Sequence, residues 1–549
     1  METGSTTAED LALLRGRLTG RCIAMGLSGS LLLFAAGSWN VKATESLEVE
    51  IDGVVLPVAV DDLGSLVRAS RAQSEAAPRT ELTTWMQLLD PESRRGLIRL
   101  LDAPVLTRRS LGQQLLRNWG ARPLLDALGT LIRVDGGGRI SSSVVMATLE
   151  QLLEQQEQIT TLDVLKALPH RQLRLDLDAL LKAADRWRSE LTRHHALTAS
   201  LGRHPSQHQK LEPLATDSTA AGSPRLIRLS VPHRSEPLQV EVWGPDIDRS
   251  DHLWIVLLPG LGGDPEHFHW LARGLAASGW PLALVDHPGS DSAAVQALLE
   301  GRQSFDGAEA LRQRLADLRA VLEAQRGGQL PVPGNRVVLV GHSLGALTAL
   351  LAAGAQPVAG ADQRCEAALA GLPLTNLSKL LQCELAAGRV METPVVNPLP
   401  TAVVGLNSFG GLIWPERKSK PLGIPLLLIG GTLDLITPPL DEQLGLLAAL
   451  GLHGASRAVV VEGASHFSPI RVDGQASEEE GDDLFQLGEE LVGVNPLTVQ
   501  QLIALELIRF LNQLEGDPSA GGMQHLSDGT TRWHRLDRSS ASRLTEQLQ

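Results

Sequence analysis

Hydrophobic and polar positions change rhythm three times along the chain. From Leu47 to Val60 they alternate around Asp52-Gly53, a two-residue turn of the kind that closes a β-hairpin. From Asp61 to about Ala196 the period lengthens to that of amphipathic helices with their own start signals. Thr80 precedes one, Asp90-Pro91-Glu92 opens another, Ser141 opens a third, and Asp176 precedes a run ending near His195. Three consecutive glycines within Val134 to Gly138 break the series. Residues 44–198 therefore read as a small helical domain with a short hairpin. Residues 199–223 turn polar and rich in Pro, Ser, Thr, Gln and His, as a linker does.

Beyond that linker, short apolar runs alternate with helical ones. Leu226 to Val231, Val240 to Trp243, Leu253 to Leu258, Leu282 to Val285, Arg336 to Val340, Thr401 to Leu406, Pro425 to Ile429 and Arg457 to Val461 read as strands. Glu309 to Gln325, Ala346 to Ala353, Leu440 to Leu450 and Leu497 to Leu514 read as helices. Two strands in near succession followed by alternation predict an α/β domain over residues 224–515: a mostly parallel, eight-stranded sheet with helices on both faces. Residues 354–400 interrupt one helix-to-strand step and read as a lid insertion. The stretch 516–549, with Gly521-Gly522 and scattered charges, reads as a mobile tail.

Composition narrows the chemistry. With 43% hydrophobic and 20% charged residues in 549, the chain buries a sizeable core. It contains no tyrosine, so no phenol serves as acid, base, nucleophile or oxyanion donor. The net charge of −14 argues against a general nucleic-acid binder, which needs a basic face. Cys22, Cys365 and Cys383 form no C-x-x-C pair, which argues against structural zinc. Arg15, Arg17 and Arg21, the apolar stretch from Ile23 to Ala36, and Val41-Lys42-Ala43 make an export signal over residues 1–43, cleaved after Ala43. In an oxidising compartment the two remaining cysteines, Cys365 and Cys383, are candidates for a disulfide; two buried thiols are the other reading.

The central motif is Gly341-His342-Ser343-Leu344-Gly345. A buried-strand run precedes it and an Ala/Leu-rich helix follows, the strand–turn–helix setting of a nucleophile elbow. A serine needs a base at neutral pH, and the base needs an orienting carboxylate, expected downstream in the order Asp, then His. Asp434, in Gly430-Gly431-Thr432-Leu433-Asp434, follows the next-to-last strand; His466, in Gly463-Ala464-Ser465-His466-Phe467, follows the last. The oxyanion needs two donors. The Leu344 amide is one, and without tyrosine the other is a backbone amide, Leu261 in Pro259-Gly260-Leu261-Gly262-Gly263. Phe409 and Trp414, with Leu412 and Ile413, are candidates to line an acyl pocket.

Three further clusters are read blandly. Asp264, Glu266, His267 and His269 make a helix start and not a metal site. The run from Glu478 to Asp483 is a solvated insertion and not a calcium loop. Asp286 ends a strand but precedes Ser343 in the chain, against the order expected of a triad acid.

The region from about Leu226 to Leu514 resembles the α/β-hydrolase family. Within it, the similarity is to serine hydrolases of the platelet-activating-factor acetylhydrolase and dienelactone-hydrolase-like group, carried by the loop at Pro259, Asp286-His287-Pro288-Gly289-Ser290, the elbow and Ser465-His466-Phe467. With its leader and N-terminal helical domain, the chain also resembles exported hydrolases of photosynthetic bacteria. The resemblance implies hydrolysis of carboxylic esters through an acyl-enzyme, without metal or organic cofactor. Dienelactone hydrolases proper carry cysteine where Ser343 stands, so their substrate does not carry over; many related loops carry histidine where Pro259 stands. The expected partners are a small-molecule or lipid ester and, transiently, a membrane surface, with no nucleic acid. An acyltransferase or thioesterase on the same triad, and a non-catalytic scaffold on the same fold, stay open, as does the oligomeric state.

Overall fold

A computed structural model describes most of residues 44–548; outside the description lie residues 1–43, much of 72–131, 212–222, 245–251, 388–395, 471–493 and 517–520, with a few shorter gaps. The expected export signal and the run from Glu478 to Asp483 fall among these. Among the described residues no helix is long and apolar enough to cross a membrane.

The N-terminal domain has more sheet than its helical periodicity predicts. Strands β1 (Ser46–Ile51) and β2 (Val54–Ala59) form the expected hairpin, with Ile51 opposite Val54. Further strands follow: β3 (Pro104–Thr107), β4 (Ile132–Val134), β5 (Gln158–Thr160) and β6 (Gln172–Asp176). β6 lies parallel to β1 and antiparallel to β4, giving a four-stranded sheet in the order β2-β1-β6-β4, while β3 and β5 pair separately. Strands this short carry too few alternations to stand apart from the helix flanks around them. The helix starts are as predicted where described. Ser141 accepts from the Val144 amide and Asp176 from the Ala179 amide, satisfying donors that have no partner inside the helix.

The helix Leu177–Gly202 leaves this domain and ends in the next one, where Leu197 and Leu201 are buried in the core of the large sheet. The predicted linker is corrected accordingly. Its first residues are helical, and β7 (Gln207–His208) joins the large sheet.

That sheet adds β8 (Arg225–Leu229), β9 (Leu238–Trp243), β10 (Leu253–Leu258), β11 (Leu282–Val285), β12 (Arg336–His342), β13 (Ala402–Leu406), β14 (Leu426–Gly431) and β15 (Arg457–Val461). These eight are the predicted strands, in the order β8-β9-β11-β10-β12-β13-β14-β15. The run from β11 to β15 is parallel, while β8 and β9 are antiparallel to their neighbours. One apolar core covers each face. The connections from β10 diverge, one to β11 on one side and one by way of β11 to β12 on the other. The carboxyl ends of β10 and β12 therefore flank the point where the strand order reverses.

The predicted mobile tail is a further correction. β16 (Gln524–Ser527) and β17 (Arg532–Leu536) extend the sheet beyond β15 to eleven strands, and the helix Arg538–Gln547 packs on it. Its charges concealed this. Trp533 is wholly buried and donates to Glu506, whose carboxylate also takes the Arg535 guanidinium at 2.7–2.9 Å. A strand whose charges are neutralised by a helix elsewhere looks like a solvated segment when read alone.

Within residues 354–400 the helices Ala361–Ala370 and Ser378–Ala387 are joined by a Cys365–Cys383 disulfide, with Cα atoms 5.4 Å apart.

Candidate active site

Ser343 stands where β12 turns into the helix Leu344–Ala352, with φ +51° and ψ −115°. Such a conformation costs a non-glycine residue roughly 1–3 kcal/mol and persists only where its surroundings enforce it. Here the surroundings do. The Ser343 amide donates to the Leu406 carbonyl on β13 at 2.9 Å. A Cβ on Gly341 would lie 2.3 Å from the Gly345 carbonyl carbon, and one on Gly345 would lie 2.1 Å from the Leu258 oxygen. The two flanking glycines are thus required by the close approach of backbone on both sides. Leu344, in the first turn of the following helix, has an amide without an intrahelical acceptor.

Asp434 and His466 meet on the neighbouring loops, with Asp434 Oδ2 3.0 Å from His466 Nδ1. The Asp434 carboxylate is almost wholly buried and fully engaged. Oδ1 accepts from the amides of Ile436 and Thr437 at 2.8 and 2.7 Å, and Oδ2 accepts from Asn407 Nδ2 at 2.7 Å and the Thr437 hydroxyl at 2.5 Å. Burial alone would push its pKa up, but His466 and these donors outweigh burial and bring it down to about 2. An ionised carboxylate only accepts, so His466 Nδ1 carries the proton and Nε2 is left as the basic nitrogen.

The elbow is bonded directly to the His466 loop. His342 Nε2 donates to the His466 carbonyl at 3.0 Å, and the two rings lie 5.0 Å apart. Burial, then the neighbouring His466, lowers the His342 pKa to about 3, so this ring stays neutral. Ser343 and His466 are only 6% and 5% exposed.

The glycine-rich loop after β10 closes the other side. A Cβ on Gly260 would lie 3.2 Å from Ser343 Cβ, so the loop backbone runs against Ser343. Behind it lies a buried cluster that sequence reasoning missed. Arg314, wholly buried on the helix Gly307–Arg326, donates to the carbonyls of Pro259 and Gly260 (3.4 Å for the latter) and to Ser290 Oγ at 2.7 Å. One helical turn on, Asp317 accepts from Arg234 on both oxygens, from His233 Nε2 and from His287 Nδ1. A signal was present: Arg314 lies three residues after Leu311 and four before Leu318, on the apolar stripe of its helix, where a solvated arginine does not belong.

Other candidates separate cleanly. Burial, with the nearby carboxylates of Asp291, Asp264 and Glu266, raises the Asp286 pKa to about 6, and Asp286 makes no bond to His466. Asp264 accepts from the amide and hydroxyl of Ser292, and His269 pairs with Glu241 at 2.9 Å. Phe409 and Trp414 are each 1% exposed and packed in the core. Trp414 borders a cavity of about 250 Å³ whose lining includes Arg193, Lys379 and Asp441 but none of Ser343, Asp434 or His466. Both aromatics expected to line an acyl pocket are thus part of the core on that face of the sheet. Glu442 was also missed. It gathers donors from Asn376, Ser378 and Gln382, within the 354–400 segment, and from the amides of Gly410 and Gly411.

Strand order and the sharp strand-to-helix turn at Ser343 together define an α/β-hydrolase fold. Residues 254–369 match a family model described as "alpha/beta hydrolase fold", and residues 43–176 match one described as "Alpha/beta hydrolase of unknown function (DUF1400)". No curated protein matches the chain. Among solved structures, a ferulic acid esterase from Streptomyces cinnamoneus is similar, at 17% identity, covering 57% of this chain and 95% of that one with a TM-score of 0.35.

Proposed function

We propose that the chain is a serine hydrolase of carboxylic esters, with Ser343 as nucleophile, His466 as general base and then acid, and Asp434 fixing the imidazole. Ser343 Oγ attacks the ester carbonyl while its proton passes to His466 Nε2. The amides of Leu261 and Leu344 hold the tetrahedral oxyanion. Collapse releases the alcohol, protonated by His466, and water activated by the same nitrogen then frees the acid. One observation carries the reading: a buried, ionised Asp434 orients His466 on a loop that His342 bonds to the strained Ser343 turn.

An acyl or lipid ester is the substrate class this rim favours. Leu433 and Leu435, on either side of Asp434, are 49% and 37% exposed and present apolar surface where an acyl chain or a membrane surface would approach. Export with cleavage after Ala43 belongs to the same proposal, and the Cys365–Cys383 bond supports it because such bonds persist in oxidising compartments.

Purified protein is tested on short- and medium-chain acyl esters beside Ser343→Ala, with a fluorophosphonate probe and analysis of the released acid. Hydrolysis and labelling by wild type alone are expected; equal labelling of both sinks the nucleophile assignment. Mass spectrometry of the secreted chain, expected to begin at Thr44, tests export.

A further inference from the structure

Arg314 has no counterpart in the mechanism above, yet it is a full charge buried to 0% exposure, and its hydrogen bonds go to backbone carbonyls and a hydroxyl. Removing a guanidinium from water is costly, and burial pulls its pKa down to about 9. A group held at such cost against three neutral acceptors invites a reason.

The acceptors supply one. Two are the carbonyls of Pro259 and Gly260, the residues just before Leu261. In a trans peptide the C=O and N–H point in opposite directions. The Gly260 oxygen and the Leu261 N–H belong to one peptide group, so drawing that oxygen toward Arg314 turns the Leu261 N–H the other way. Ser343 packs against this same loop, its Cβ 3.2 Å from where a Gly260 Cβ would stand. The third acceptor, Ser290 Oγ, completes the clamp. Ser290 donates onward to the His287 carbonyl, and its own carbonyl takes the Gly262 amide at 2.8 Å. The loops after β10 and β11 are thereby locked together around one guanidinium.

We infer that Arg314 is the positioning residue of the oxyanion hole: it aims the Leu261 N–H at the developing oxyanion without touching substrate. The inference rests on the serine-hydrolase reading. It assigns a role to a helix residue 53 positions after Leu261 that is not part of the triad.

The test uses full-length Arg314→Met and Arg314→Lys beside wild type. Removing one oxyanion donor costs roughly 10²–10³ in kcat. Mis-aiming one in Arg314→Met is expected to cost about 30- to 100-fold in kcat, with KM within about threefold. Arg314→Lys keeps the charge and one donor, and is expected to recover about a third or more of the loss on a logarithmic scale. Crystal structures of the variants give a reading that does not need activity: the Gly260–Leu261 peptide should be rotated in Arg314→Met. Unchanged kcat, or a rise in KM alone, overturns the inference, and so does an unrotated peptide. If Arg314→Met does not fold, Arg314→Lys decides by the same measures, a lowered kcat at constant KM supporting the inference and wild-type kcat overturning it. Should wild type itself neither hydrolyse esters nor take the fluorophosphonate label, the proposed function falls, and the orientation of the peptide alone decides what Arg314 does.

Discussion

Among the described residues, two fully buried carboxylates each bond a histidine Nδ1 at nearly the same distance. Asp434 Oδ2 lies 3.0 Å from Nδ1 of His466, and Asp317 Oδ2 lies 2.8 Å from Nδ1 of His287. Both carboxylates are ionised below their ordinary range despite burial. They differ in what surrounds the pair. Asp317 shares its charge with Arg234 and His233, and His287 Nε2 is buried without a partner. Asp434 is held by neutral donors and by His466 alone, and the His466 loop is bonded to the turn bearing Ser343. An Asp–His bond therefore does not by itself mark a catalytic site. What separates the two pairs is that the Asp434 carboxylate has one imidazole to orient, whereas Asp317 is shared among a guanidinium and two imidazoles.

Ser343→Ala should produce the largest effect, a loss of at least about 10⁴-fold in kcat/KM on an aryl ester with the melting temperature little changed. Asp434→Asn should follow, lowering kcat by roughly 10³–10⁴-fold because the imidazole tautomer is no longer specified. Asp317→Asn is the counterpart that could break the comparison. It strands the part-buried Arg234, so about 3–5 kcal/mol of stability should be lost in urea titrations while kcat falls less than about tenfold. Equal kcat losses in the two variants would erase the distinction drawn here.

Acid stability gives the most graded test. Burial, with the nearby Arg314, lowers the His287 pKa to about 4, and His342 is lowered to about 3. The unfolded chain, with histidines near 6.5, binds the extra protons first. Stability should therefore be full above about pH 6.5 and fall toward pH 4 by about 1.4 kcal/mol per unit for each histidine. His287→Asn keeps a donor at the Nδ1 position and should flatten this slope; an unchanged slope would show that the ring is not neutral at rest. The Asp434 contribution has a different window, present above about pH 4 and lost only as pH falls toward 2.

Much of the site was legible from the chain alone because its determinants are local. The elbow needs a strand, two small residues and a helix within a dozen positions, and Gly341 and Gly345 sit where no Cβ fits. Asp434 and His466 follow strands recognisable by apolar runs, and a parallel sheet puts such strand ends on one rim. Harder to read were the partners that complete each group. Asn407 reaches Asp434 from 27 residues away, and Arg314 reaches Pro259 from 55. The tail misled for a related reason: Arg535 looks solvated until Glu506 is placed beside it.

The sequence by itself determined the strand–helix alternation, the serine turn and, by the lack of tyrosine, that phenol chemistry is excluded. Periodicity, glycine placement and composition act within a few residues, so they survive without the fold. Only the tertiary structure decided which carboxylate owns which histidine, where the tail strands pair and what holds the loop at Leu261. Those depend on charges and carbonyls brought together from distant segments, and their energies exist only once water has been excluded between them.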